Sequence, residues 1–161
     1  MHLPTSKTFL LLASVALTSV AGTTVVVTIP AQAVDNVIAK NAPDLASVRA
    51  KIKAKDFTAA IAELTPMLST HQHADVYNLL GFSWRKSGDY KQAATFYSKA
   101  LDFDPNHAGA LEYQGEMFVE LGQLDKAKAN LAKLATLCPT GCEERGDLEK
   151  AIAAAPAAKI N

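Results

Sequence analysis

The chain has 161 residues, 16 of them basic and 16 acidic, and two cysteines. With no basic surplus to neutralise phosphates, the composition excludes a nucleic-acid partner held by charge. Hydrophobic residues make up 49% of the chain, which fits one packed domain and excludes disorder beyond the ends.

Met1 to Ala33 reads as a targeting segment. Lys7 precedes an uncharged stretch, Thr8 to Ile29, rich in Leu, Ala and Val. Pro30 breaks it, and Ala31-Gln32-Ala33 supplies the small-x-small pattern a signal peptidase needs, so cleavage is expected between Ala33 and Val34. A retained membrane anchor over residues 8–29 is the competing reading, because the apolar run is long enough to span a bilayer. Cleavage implies a periplasmic or secreted chain with no membrane span in its mature form.

Residues 34–43 read as a loose or short helical lead-in. From Asp44, an expected N-cap, Leu45, Val48 and Ile52 recur at helical spacing, giving helices near 44–54 and 56–68, with Pro66 late in the second. The next unit, Ala74 to Pro105, is clearer. Leu80, Gly81 and Trp84 share one face of a first helix, Gly88-Asp89 turns the chain, and Tyr90, Ala93, Tyr97 and Ala100 share one face of a second. The landmarks return 34 residues later as Gly115, Phe118, Gly122, Leu124, Ala127 and Pro139. The earlier unit fits more weakly: Lys55-Asp56-Phe57 matches Gly88-Asp89-Tyr90, Ser47 stands at the Gly81 place and Ala50 at the aromatic one. After Cys138-Pro139-Thr140-Gly141, residues 143–155 read as a last helix, with Leu148 and Ile152 on one side and charges on the other. Residues 156–161 form a tail.

A period of 34 with aromatic-x2-Leu-Gly-x2-aromatic, then Ala-x3-aromatic, then Pro resembles the tetratricopeptide repeat family. The aromatics are exchanged, with Tyr77 where that family usually has Trp and Trp84 where it usually has Tyr. The resemblance implies an all-α, right-handed superhelical solenoid within residues 34–155. Its repeats fall at about 44–70, 74–107 and 108–139, and residues 143–155 form a helix solvating the open end. Residues 111–116 and the Cys-Pro-x-Gly-Cys-Glu-Glu segment at 138–144 are similar to small exported proteobacterial members of the family, which carry no assigned reaction.

That resemblance implies partner contacts on a concave face lined by first helices. The family's contact positions fall on Asn78, Phe82, Arg85 and Lys86 in one unit and on Glu112, Glu116 and Glu120 in the next. The three glutamates, spaced four apart, make an acidic ridge beside a basic patch of Arg85 and Lys86. Two readings stand open. Either Phe82, exposed among these charges, anchors a peptide or helix of an envelope protein, or the charges form a solvated or intramolecular ion-pair lattice. The family's clamp for chaperone C-termini is lacking, since Asn78 and Phe82 do not supply its Lys and Asn. End-to-end self-association is a further possibility.

Cys138-x3-Cys142 is expected as a disulfide in an exported chain, contributing about 2 kcal/mol at most across so short a loop. The alternative is a metal or thiol-redox carrier, because Cys-x3-Cys also resembles the copper motif of exported copper chaperones. Free thiols are the third possibility. His71-Gln72-His73 and His107 read as surface residues that would need other ligands to hold a metal. No phosphate loop, H-E-x-x-H or nucleophile elbow occurs, so neither an enzyme nor a cofactor is expected.

Overall fold

The computed structural model describes residues 42–156, which form seven helices joined by short turns: α1 (Ala46–Lys53), α2 (Phe57–Met67), α3 (Ala74–Lys86), α4 (Tyr90–Phe103), α5 (Ala108–Glu120), α6 (Leu124–Leu137) and α7 (Glu143–Ala153). No strand occurs among the described residues. The expected leader 1–33, with its cleavage point and the anchor alternative at 8–29, lies outside them, as does most of the expected tail. No helix of the described residues is long and apolar enough to cross a membrane.

The turns explain where each helix stops. Gly88 and Gly122 end α3 and α5 with φ of 87° and 71°, the left-handed region that glycine enters without a steric cost. The first pair makes the same turn with Lys55 at φ 61°. Asp56 and Asp89 then cap α2 and α4, their carboxylates accepting from the backbone N–H groups of Ala59 (3.0 Å) and Gln92 (2.9 Å). Asp44 falls one residue short of its expected role. Leu45 occupies the N-cap position of α1, while Asp44 Oδ1 accepts from Ala46 N–H at 3.0 Å.

Each helix of the described residues packs against its sequence neighbours, and α7 lies on both α5 and α6. Contacts that reach only the next unit are the rule for a stacked repeat, where no pair alone can bury its apolar face. The core runs as successive clusters, from Val48, Leu64 and Leu80 at one end to Leu111, Leu134 and Leu148 at the other. Two glycines set the closest approaches. A β-carbon on Gly81 would lie 2.6 Å from the Tyr97 ring, and one on Gly115 would lie 2.6 Å from Leu148 Cδ2. In the central unit the ring from α4 fills the space over Gly81. The residue 34 places beyond Tyr97 is Leu131, and the space over Gly115 is filled by Leu148 from α7 instead. The result is an all-α helical repeat solenoid whose last helix takes the place a following repeat would hold.

Candidate functional site

The first helix of each pair turns one side toward a common groove. Its larger compartment, about 320 Å³, is walled by α1, α3, α5 and α7, with Arg49, Asp75, Asn78, Glu112, Glu144 and Asp147 among its walls. A second compartment of about 210 Å³ adjoins it through the shared residues Arg49, Leu79 and Tyr113, and adds Ile52, Lys53 and Phe82. The groove is therefore acidic at one end and aromatic and aliphatic at the other.

The residues expected to meet a partner occupy very different places. Phe82 is half-buried rather than exposed, because its ring packs 4.9 Å from that of Tyr113 and 6.3 Å from that of Phe57, centroid to centroid. One of its edges still lines the aromatic compartment. Arg85 is not part of a free basic patch: it is only 3% exposed. Its Nη2 donates to Glu116 Oε2 at 2.6 Å and its Nη1 to the Tyr113 carbonyl at 3.0 Å. The guanidinium also lies 5.6 Å from the Phe82 ring centre. A charge this deep is tolerable only with such partners, so the Arg85–Glu116 pair ties α3 to α5. Lys86 remains exposed, its ammonium 5.4 Å from the Phe82 ring centre, and Glu120 is exposed at the far end of α5. The expected acidic ridge is thus divided. Glu116 is paired, Glu120 is in water, and Glu112 lies in the acidic compartment at 8% exposure.

Glu112 has no hydrogen-bond or ion-pair partner among the described residues. Burial pushes its carboxyl up to about 8, helped by the nearby charges of Glu116, Asp147 and Glu144. Asn78 lines the same compartment at 4% exposure, and its Oδ1 has no hydrogen-bond partner. Burial likewise raises the Tyr113 phenol above its ordinary range.

Sequence reasoning missed the part played by two histidines. His73 and His107 are the N-caps of α3 and α5, each Nδ1 accepting a backbone N–H, from Asp75 at 3.2 Å and Ala110 at 3.0 Å. His107 Nε2 also reaches Asp75 Oδ1 at 3.0 Å, which joins two units across the groove. The tautomer with hydrogen on Nε2 satisfies both contacts, and this hydrogen bond holds the Asp75 carboxyl below its usual range. The signal was present, since the two histidines stand one repeat apart. The carboxylates of α7 were missed for another reason: an end-capping helix is ordinarily read only as a solvated surface.

Cys138 and Cys142, with Cα atoms 5.9 Å apart, are joined as a disulfide in the turn between α6 and α7, and no free cysteine occurs among the described residues. No group of three or more His, Cys, Asp or Glu side chains suited to holding a metal ion occurs among the described residues.

Comparison with known proteins agrees with the repeat geometry. Residues 74–107 and 110–141 each match a model described as tetratricopeptide repeat. The chain is 36% identical over 64 residues to the uncharacterized protein ycf37 of Pyropia yezoensis, covering 40% of this chain and 36% of that protein. It is 32% identical over 86 residues to BBSome complex member BBS4 of Bos taurus, covering 53% of this chain and 17% of that protein. The chain therefore spans only a minor part of either relative's length. The two consecutive matches agree with the 34-residue period and the stacked helix pairs, and residues 74–107 and 110–141 match as tetratricopeptide repeats within an all-α helical repeat solenoid.

Proposed function

We propose that the protein is a non-catalytic binding module whose groove takes a peptide or helix of another protein. The observation that carries this reading is the wall of the groove. Two adjoining compartments are built from the first helices of successive pairs together with α7, and the edges of Phe82 and Tyr113 are exposed inside. An extended or helical segment can lie along such a wall, with aromatic edges as anchors and charges setting its register. Tetratricopeptide repeats serve protein–protein contacts in general, and one relative carries the name of a complex member. The leader expected at residues 1–33 puts the partner in the cell envelope.

Site-specific photocrosslinking tests this reading in the producing cell. A photoreactive residue at Lys53, on the groove rim, should yield a discrete protein adduct. The same residue at Lys126, away from the groove on α6, should not. Equal adducts from both positions, or none from Lys53, would remove the groove as the binding surface. The intact mass of the exported protein checks the envelope assignment, with loss of residues 1–33 as the expected outcome.

A further inference from the structure

The acidic compartment has a chemistry of its own. Five carboxylates line it, from Asp75, Glu112, Glu143, Glu144 and Asp147, against one guanidinium, Arg49, and the imidazole of His107. Asp75 is engaged by His107 and Asp147 by Lys150; Glu112, Glu143 and Glu144 have neither a side-chain hydrogen bond nor an ion pair among the described residues, and of these three only Glu112 is buried. A second and independent feature is Asn78, buried to 4% exposure against the same space with its Oδ1 unpartnered. Buried acceptors are normally satisfied, and Asn78 Oδ1, in the same compartment as a carboxylate with no partner of its own, marks a place where a donor is missing. Gly109 keeps the wall open, since a β-carbon there would meet Asn78 Nδ2 at 3.2 Å and the His107 ring at 3.6 Å.

We infer that this compartment is a receptor for a single cationic side chain, the ammonium of a lysine or the guanidinium of an arginine, carried by the partner segment, with Glu112 as counter-ion and Asn78 as neutral acceptor. The inference rests on the groove being a peptide site and names what the peptide must carry. An ammonium brings three donors and a guanidinium five, so either cation can satisfy Glu112 and Asn78 together, which an apolar or acidic residue cannot. Tyr113 and Leu79, shared with the aromatic compartment, offer apolar surface to the stem of such a side chain.

Binding is then linked to protonation. The charged groups facing Glu112 are Glu116 on its own helix, Asp75 and Arg85 on α3, Arg49 on α1, His107 at the start of α5, and Glu143, Glu144 and Asp147 on α7. Carboxylates outnumber cations in this set, so Glu112 holds its proton in the empty groove and gives it up to an arriving cation. The cation therefore binds with release of a proton near neutral pH.

The test is calorimetric titration of the purified protein with capped peptides in which a central lysine, arginine, norleucine or glutamate is flanked by leucine. Spermidine and calcium chloride serve as further probes, and wild type is compared with Glu112→Gln. Lysine and arginine peptides should bind at least tenfold more tightly than norleucine or glutamate peptides. Their affinity should rise more than tenfold from pH 6 to pH 9, a range in which lysine stays charged. The Glu112→Gln variant should lose the preference and the pH slope while keeping its helicity. Norleucine binding as well as lysine would overturn the cation receptor yet leave the peptide groove standing. Spermidine binding more tightly than the lysine peptide would keep the cation site and overturn its assignment to a peptide. Calcium binding that displaces the lysine peptide, or an unchanged Glu112→Gln titration, would overturn the proposal outright.

Discussion

Lys55 stands in a backbone conformation that suits glycine. At the same turn in the next two pairs the chain uses Gly88 and Gly122, and the shared left-handed φ shows that the turn geometry is kept although the residue is not. A side chain in that region costs about 1–2 kcal/mol, part of which glycine would return through its greater freedom in the unfolded chain. Lys55→Gly should therefore stabilise the fold by about 0.5–1 kcal/mol. A urea titration should show it as a higher midpoint with an unchanged slope. Alignment of Lys55 with Gly88 was legible from the match of Lys55-Asp56-Phe57 to Gly88-Asp89-Tyr90, although the offset is one short of the 34-residue period. The pairing of Arg85 with Glu116 was not, because the two residues lie on different helices and their approach depends on how those helices cross. Helical spacing placed Glu112, Glu116 and Glu120 on one face, but it carried no information on what covers each turn. In the fold α7 covers the first, Arg85 meets the second and water meets the third.

At the level of elements, α7 is more than a solvated end. Its Leu148 is fully buried over Gly115, in the space that Tyr97 occupies over Gly81 one unit earlier. Gly115→Ala would place a β-carbon 2.6 Å from the Leu148 side chain, so the buried leucine must change rotamer or carry α7 outward. The expected cost is about 1–3 kcal/mol, with faster amide exchange in α7 while α3 and α4 keep their protection. Gly81→Ala meets an aromatic ring in the middle of the stack and should speed exchange in all the described helices together rather than in one of them. Exchange profiles of the two variants distinguish these outcomes. The small residues at 81 and 115 and the existence of α7 could be read from the sequence, together with the limits of α1, α2 and α7 to within two residues. Which side chain fills the space over Gly115 could not. The repeat pointed to Leu131, and only the docking of α7 on both α5 and α6 brings Leu148 there instead.

For the molecule as a whole, Glu112 makes stability depend on pH in an unusual direction. In the unfolded chain its carboxyl titrates near 4.5, and in the fold it is pushed up to about 8. Between those values the unfolded state releases the proton and the folded state keeps it, so stability falls as pH rises through this window and is unaffected by Glu112 below it. Allowing for the water that reaches the compartment, the loss is about 2–3 kcal/mol by pH 8. Asp75 acts oppositely, since its depressed carboxyl contributes stability that is lost as acid protonates it. The difference between wild type and Glu112→Gln isolates the first effect. By denaturant titration the variant should match wild type near pH 4 and exceed it progressively toward pH 8. The groove itself draws its walls from α1 at one end of the described chain and α7 at the other. In a stack where each pair leans only on its neighbours, the ends are the first parts to open. The cavity therefore exists only while both ends are closed, and an occupant seated on α3 and α5 acts as a clasp that holds α1 and α7 down on the middle, tightening the loosest joints of the molecule.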